Sequence, residues 1–373
     1  MVQNLKKIFI FLVFFFVPLF VFAQGFVEED FVSKSTQESY RAEVLEVVDV
    51  TREILPPANV EHVTQTLQIK ILNGNRKGEE VEFVNDFVEL EGGDTFFLDH
   101  TILPDGSEYY TMREIDRLLP ILVLVGIFAF AVVLFGGLQG MRSLISLAGS
   151  LLVILYVLIP ALLAGYSPVL TSIIIATVVL FFAIFFVHGF TMSSLISFIG
   201  TISAVVFTGV FATISINVAK LTGFASDEVI YLHLSTGGEL DMTGLLLAGI
   251  IIGALGVLDD IAVTQVSVVK ELFKVGNKLS SKKIYKKALR VGKAHIGALL
   301  NTLILAYTGA ALPLLLLFFQ TNNSIISIVN REVFATEIIR SLVGSVGLIL
   351  AVPITTWLAV TYFSKRRKEE KML

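Results

Sequence analysis

The chain contains no cysteine among its 373 residues, and only 16% of its residues are charged. The lack of cysteine excludes disulfides, thiol chemistry and cysteine-ligated metal sites. The 5 histidines lie in separate regions without the spacing of metal ligands, so the sequence predicts no metal site. No P-loop, HExxH or GxSxG pattern occurs, and we therefore predict no enzymatic activity, no cofactor and no ATP-driven pumping by this chain.

Apolar residues dominate the composition of the chain. They make up 55% of the chain, which includes 30 Phe, and the mean hydropathy is +0.81. Several runs of about twenty apolar residues follow Pro120, long enough to cross a hydrocarbon core about 30 Å thick. The composition predicts an α-helical polytopic membrane protein. Its basic residues are expected to orient it in the lipid bilayer and not to bind nucleic acid.

Residues 1–23 have the features of a signal peptide. Lys6 and Lys7 precede an apolar core, and Val21-Phe22-Ala23 ends it with a small residue suited to cleavage. An uncleaved first helix is the alternative. In both cases the segment exports the residues that follow it.

Residues 24–117 carry most of the acidic groups in short runs that alternate polar and apolar residues, which predicts strands. Asn73-Gly74-Asn75 and Pro104-Asp105-Gly106 read as turns. The predicted strands are 40–50, 61–71, 79–84, 94–99 and 108–113. We expect a small extracytoplasmic β-barrel-like domain with a structural or binding role.

Residues 118–363 form the predicted membrane domain. The seven predicted spans are 118–138, 144–163, 169–187, 193–218, 244–269, 294–319 and 338–363. Basic residues follow the first, fifth and seventh spans, and the positive-inside rule places these ends in the cytoplasm. The basic tail 364–373 is then cytoplasmic in an inner or plasma membrane, and the N-terminal domain lies outside. The basic stretch 270–293 includes a predicted amphipathic helix at residues 280–293, which has Ile284, Ala288 and Val291 on one face. We expect this helix to lie on the anionic inner leaflet. Docking to a partner is the alternative.

The fifth span carries two aspartates, Asp259 and Asp260, well inside its apolar run. An aspartate near the centre of a spanning helix costs about 3 kcal/mol, so each needs protein, water or a proton. Successive helical residues point about 100° apart. We therefore expect one carboxylate to line a cavity and the other to meet a second helix or the interface. A small and polar stripe shares the face of Asp260, and its glycines predict close helix packing; it consists of Gly249, Gly253, Gly256, Asp260, Thr264, Ser267 and Glu271.

Depth along the helices groups further polar residues with this pair. Asp260 lies about 15 Å from the inner end of its span by the helical rise, and Asn301, Thr355 and Thr356 have similar depths. The predicted substrate or ion site is therefore Asp259, Asp260, Thr264, Gln265, Asn301, Thr355 and Thr356. The alternative is that the aspartates only cap or brace helices near the inner surface. Glu337 and Arg340, three residues apart at the outer end of the last span, predict an ion pair or an outer gate.

Three segments resemble the bacterial YibE/YibF family of membrane proteins. They are GALGVLDDIAVTQVSVVKEL (253–272), GKAHIGALLNTLILAYTGAALPLLLL (292–317) and EIIRSLVGSVGLILAVPITT (337–356). The exported domain and YTMREIDRLL (110–119) resemble the longer, YibE-like members. The family pattern marks Asp259, Asp260, Gln265, Glu271, His295, Asn301, Glu337 and Arg340. The resemblance implies the architecture, and a transport role is presumed for the family from topology more than from chemistry.

Two functions from different classes follow from these observations. The first is secondary transport or permeation of a small solute or ion, whose identity the sequence leaves open, with the aspartate pair as coupling or substrate site. The second is a non-transporting sensor, scaffold or assembly factor that binds a partner through the external β-domain. Glycine-lined helix faces also favour self-association or pairing with a related membrane subunit.

Overall fold

The computed structural model describes residues 36–56, 60–103, 107–276, 279–320 and 324–369. The chain divides into two compact units at Ala131 and Val132, and each is described by itself. The predicted signal peptide and the predicted turn at residues 104–106 lie outside the described residues.

The first unit contains a small antiparallel sheet of five strands in the order β3-β2-β1-β4-β5. The strands are β1 (Thr36–Leu55), β2 (Val60–Ile71), β3 (Glu80–Asn85), β4 (Thr95–Ile102) and β5 (Glu108–Ile115). The inward side chains form an apolar core that includes Leu67, Ile69, Phe83, Phe96 and Leu98. The edge strands β3 and β5 approach each other, but the described residues form no ladder between them. The sheet is thus strongly curved, with β1 between β2 and β4, and close to the barrel-like domain that the sequence predicts.

The β1–β2 hairpin extends beyond the rest of the sheet as a two-stranded arm. β4 pairs with β1 only over residues 36–43, and β3 pairs with β2 only over residues 65–70. Residues 51–55 and 60–64 therefore pair only with each other. Ile54, Leu55 and Val60 lie on this arm with exposed apolar side chains. The sequence predicted the two strands but not the additional length of β1.

The second unit is helical, and its first helix begins within the first unit. The helices are α1 (Leu118–Val153), α2 (Ile159–Leu163), α3 (Pro168–His188), α4 (Met192–Ala219), α5 (Asp227–Ser235), α6 (Met242–Val275), α7 (Ser281–Ala310), α8 (Leu312–Phe319), α9 (Ile325–Val329) and α10 (Glu332–Glu369). A π-helical segment, Ile154–Leu158, joins α1 to α2. Within the described residues, five helices are long and apolar enough to cross a membrane, or six if α7 and α8 form one bent span.

The first two predicted spans belong to one 46-residue helical run, Leu118–Leu163. Gly137 interrupts it with the non-helical angles φ 57° and ψ −141°. A Cβ on Gly140 would lie 2.3 Å from the carbonyl oxygen of Val132, although eight residues of straight helix span about 12 Å. The chain therefore bends sharply at Gly137, and glycine supplies the positive φ that the bend requires.

The basic segment 280–293 is not separated from the sixth predicted span, which corrects the predicted boundary between them. It forms the first half of α7, which continues as one helix to Ala310 and then meets α8 at a 61° bend beside Pro313. Ile284 and Ala288 are fully buried and pack with Phe273 of α6 and Val360 of α10. The neighbouring helices thus cover these two residues of the predicted apolar face, whereas Val291 is exposed. The lysines of the segment are also exposed.

Helix α6 lies at the centre of the unit and contacts α3, α4, α7 and α10. The glycines that permit close helix contacts are Gly200 beside Thr355, Gly347 beside Thr208, and Gly292 beside Val352 and Gln265. Of the predicted packing glycines, only Gly253 meets a neighbour, since its Cβ position lies 3.0 Å from the Tyr307 hydroxyl. No atom lies within 4 Å of the Cβ positions of Gly249 and Gly256. The described helices therefore do not use these two glycines for packing.

Candidate functional site

A cavity of about 390 Å³ lies between the second half of α1, α3 and α6. Its polar lining consists of Ser143, Ser146 and Ser150 from α1, His188 from α3, and Asp259 and Asp260 from α6. Both aspartates line this one cavity, which corrects the expectation that only one of them would do so. The lining on α6 runs from Ile252 to Val263 and includes neighbouring residues such as Asp259 and Asp260, so the cavity borders two adjacent faces of that helix.

The α1 wall is built from hydroxyl groups at helical spacing. Ser143, Ser146 and Ser150 are separated by three and four residues, so they share one face. The Ser150 hydroxyl donates to the Ser146 carbonyl oxygen at 2.9 Å. The π-helical segment begins at Ile154, also in the cavity lining, just before Pro160, which lies at the start of α2. Such π-helical turns interrupt α-helices frequently at functional sites.

His188 supplies the third ionisable group. It is the last residue of α3, which ends at Gly189 with φ 77°. It lies close enough to Asp260 for an electrostatic interaction. Sequence reasoning missed His188 and the serines because they stand alone or are weakly polar in apolar helices. The signal that could have found them is the serine stripe of α1 together with a histidine that ends an apolar span.

The cavity is electrostatically unbalanced. Its described lining contains two carboxylates and one imidazole but no lysine or arginine. The Asp259 carboxylate accepts a hydrogen bond from the backbone N–H of Asp260 at 2.8 Å, which fixes its orientation without neutralising it. Within the described residues, no group of three His, Asp or Glu side chains is close enough to hold a metal ion. The arrangement therefore suits a proton or a hydrated or organic cation, because unpaired carboxylates in a low-dielectric site require a positive charge.

The other predicted site residues lie elsewhere. The Gln265 amide donates from Nε2 to the Ala288 carbonyl oxygen at 2.9 Å and to the Thr356 hydroxyl at 2.7 Å. Thr355 is buried against Gly200, whereas Asn301 is exposed and Thr264 is half-buried. None of these residues belongs to the lining of the cavity. Gln265, Thr355 and Thr356 contact other helices instead.

Gln265 braces three helices, and we expect Gln265→Ala to lower the free energy of unfolding by about 2 kcal/mol. The substitution leaves the buried Ala288 carbonyl without its side-chain donor and opens a gap between α6, α7 and α10. The measurement is the thermal unfolding of the purified protein, with Thr264→Ala as the control on the same helix. An unchanged Tm for Gln265→Ala would contradict the bracing role.

Glu337 and Arg340 form an ion pair on α10, with 2.8 Å between Oε1 and Nη1. Tyr307 of α7 lies within electrostatic range of both groups. The hydroxyl of Tyr307 also meets Gly253 of α6. Tyr307, Glu337 and Arg340 are named the Tyr307 cluster below. Tyr307 thus lies close to α6 and within electrostatic range of the ion pair on α10.

Comparison with known proteins gives one family. The family model described as "YibE/F-like protein" matches residues 124–365, which include the cavity and the Tyr307 cluster but not the β-sheet. Neither the curated proteins nor the solved structures gave a match.

Proposed function

The chain belongs to the YibE/F-like family, and on this premise we propose that it is a secondary transporter or permease that moves a small cation through the cavity at Asp259 and Asp260. The observation that carries the proposal is the pair of carboxylates in one cavity whose described lining has no basic side chain of lysine or arginine. Family membership supports the membrane architecture, and the chemistry of the cavity supports the charge of the substrate.

The proposed topology has seven spans. The bend at Gly137 divides the run Leu118–Leu163 into two apolar segments, each of spanning length, and α7 with α8 forms the sixth span. After a signal peptide, the β-domain is extracytoplasmic, and the basic ends of α6 and α10 are cytoplasmic. In this orientation Ser143 and His188 lie at the inner ends of their helices. The cavity then occupies the cytoplasmic half of the membrane.

The cavity residues have separate roles in this proposal. Asp259 and Asp260 bind the cation, and the serine hydroxyls replace part of its hydration shell. His188 lies within electrostatic range of Asp260, so a proton on its imidazole would compete with the cation for that carboxylate. The π-helical segment next to Pro160 gives α1 a point at which the cavity wall can move.

The experiment that tests the proposal uses the absence of native cysteine. Cysteine is placed at Asp259 or Asp260, and a membrane-impermeant thiol reagent is applied from each side of oriented vesicles. Leu258 and Ala262 are the matched control positions, because both are completely buried beside the pair. We expect rapid labelling of the Asp260→Cys variant from the cytoplasmic side and at least tenfold slower labelling of the controls.

Each alternative gives a different pattern. Labelling at all four positions would place this part of α6 in the membrane interface and leave the aspartates as ordinary interfacial groups. No labelling from either side would show a dry helix contact. Both results contradict a water-filled substrate site.

The β1–β2 arm favours the second candidate function, a sensor or scaffold that binds a partner. Its exposed apolar residues Ile54, Leu55 and Val60 form the kind of surface that partners cover. Deleting residues 24–117 discriminates the two functions, because it should cripple a sensor more completely than a permease. Self-association or pairing with a related membrane subunit is compatible with both.

A further inference from the structure

We propose that the Tyr307 cluster is a second cation site on the same pathway, occupied in this structure by the tethered guanidinium of Arg340, which closes the cavity toward the outside. The proposal rests on the proposed function. In this proposal the cluster is the outer boundary of the pathway, and the Arg340 guanidinium occupies the position where the transported cation binds.

The cluster lies next to the cavity along α6. Gly253 meets the Tyr307 hydroxyl, whereas Gly256, three residues further, belongs to the cavity lining. Three residues of α-helix rise about 4.5 Å, which is less than one turn. Among the described residues, no atom lies within 4 Å of the Cβ position of Gly256.

The cluster has the chemistry of an occupied cation site. The Glu337 carboxylate lies 2.8 Å from the Arg340 guanidinium, and the Tyr307 hydroxyl lies within electrostatic range of both. The guanidinium is incompletely satisfied, because its buried Nε has no hydrogen-bond partner among the described residues. A buried donor without a partner weakens the case for a permanent structural contact. A mobile cation that binds Glu337 can therefore displace Arg340.

An ordinary helix-surface ion pair does not account for this arrangement. Pairs three residues apart on one helix contribute only about 0.2–0.5 kcal/mol, and they need no partner from another helix. Here the pair lies beside a tyrosine from α7, and that tyrosine meets a glycine of α6. From Gly253 to Asp260 the rise is about 10 Å, so a cation released at the cluster is two helical turns from the carboxylates of the cavity.

The test measures access to the cavity from the outside. The full chain with Asp260→Cys is reconstituted in oriented vesicles, and the rate of labelling by a membrane-impermeant thiol reagent is measured on each side. Arg340→Gln removes the tethered cation, and Arg340→Lys retains a positive charge. Glu332→Gln is the matched control, because Glu332 lies eight residues away on α10 and binds the Thr222 hydroxyl and the backbone N–H groups of Thr222 and Gly223 instead.

We expect Arg340→Gln to raise the outside labelling rate of the introduced thiol at least tenfold. Arg340→Lys should restore a rate within threefold of the parent, and Glu332→Gln should leave it unchanged. Inside labelling at the parent rate shows that each variant is folded. If inside labelling persists but outside labelling does not rise, the assignment of the cluster is wrong while the proposed function stands.

Two further outcomes would overturn the proposed second cation site. Equal gains in Arg340→Gln and Glu332→Gln would show general loosening of the outer end of α10 and would overturn the site. Absence of inside labelling already in the parent would overturn the proposed function and this inference together.

Discussion

Asp260→Asn should lower cation-driven charge movement in proteoliposomes about 100-fold while the protein folds normally. The change removes one negative charge and keeps the side chain's shape. Loss of a charged contact worth about 2.7 kcal/mol corresponds to that factor. Asp260 faces the cavity and is exposed, so the substitution creates no packing defect. The measurement is the transient current after concentration jumps of Na⁺, K⁺ or methylammonium on a solid-supported membrane.

The control for Asp260→Asn is Asp241→Asn, which makes the same chemical change at the start of the same helix. The Asp241 side chain accepts a hydrogen bond from the backbone N–H of Gly244 and caps α6. We expect that variant to retain both its Tm and the current, because asparagine caps a helix about as well as aspartate. If Asp260→Asn instead lowers the Tm and retains the current, the aspartate braces the helix and the transport proposal fails.

Gly347→Ala should prevent accumulation of the folded protein or lower the free energy of unfolding by about 3 kcal/mol. The added Cβ would lie 2.0 Å from the Thr208 hydroxyl oxygen, where α10 and α4 cross. Overpacking of this kind forces backbone shifts and is among the more costly single changes in a core. The measurement is the yield of monodisperse protein and the thermal unfolding of what is recovered.

The matched control is Gly249→Ala, because no atom of the described residues lies within 4 Å of its Cβ position. Its Tm should stay constant or rise slightly, since alanine is the better helix former. Adding Thr208→Ala to Gly347→Ala should recover part of the stability, because the nearest remaining atom is then the Thr208 Cβ at 3.2 Å. Additive losses in the double variant would show that the two residues do not compete for space.

Local sequence patterns determined the elements of this protein. Alternating residues predicted the five strands, and hydropathy predicted the long apolar helices. The segments 253–272, 292–317 and 337–356 predicted the family, which the match over residues 124–365 confirms. The patterns failed where one helix ends and another begins. Residues 280–293 look like a separate surface helix because their composition changes, yet α7 continues through them. Composition records the environment of a segment, whereas backbone hydrogen bonding decides whether the helix is continuous.

For the candidate site too, the sequence determined some features and the tertiary structure determined the others. The sequence alone determined that Asp259 and Asp260 lie inside a long apolar helix, because depth follows from hydrophobic length and a rise of about 1.5 Å per residue. Only the tertiary structure decided that Ser143, Ser146, Ser150 and His188 face them and that Gln265 and Thr356 do not. The direction in which a helix presents each residue depends on packing against helices that are distant in the chain. No local pattern carries that information, since residues at one depth can face any of several neighbours.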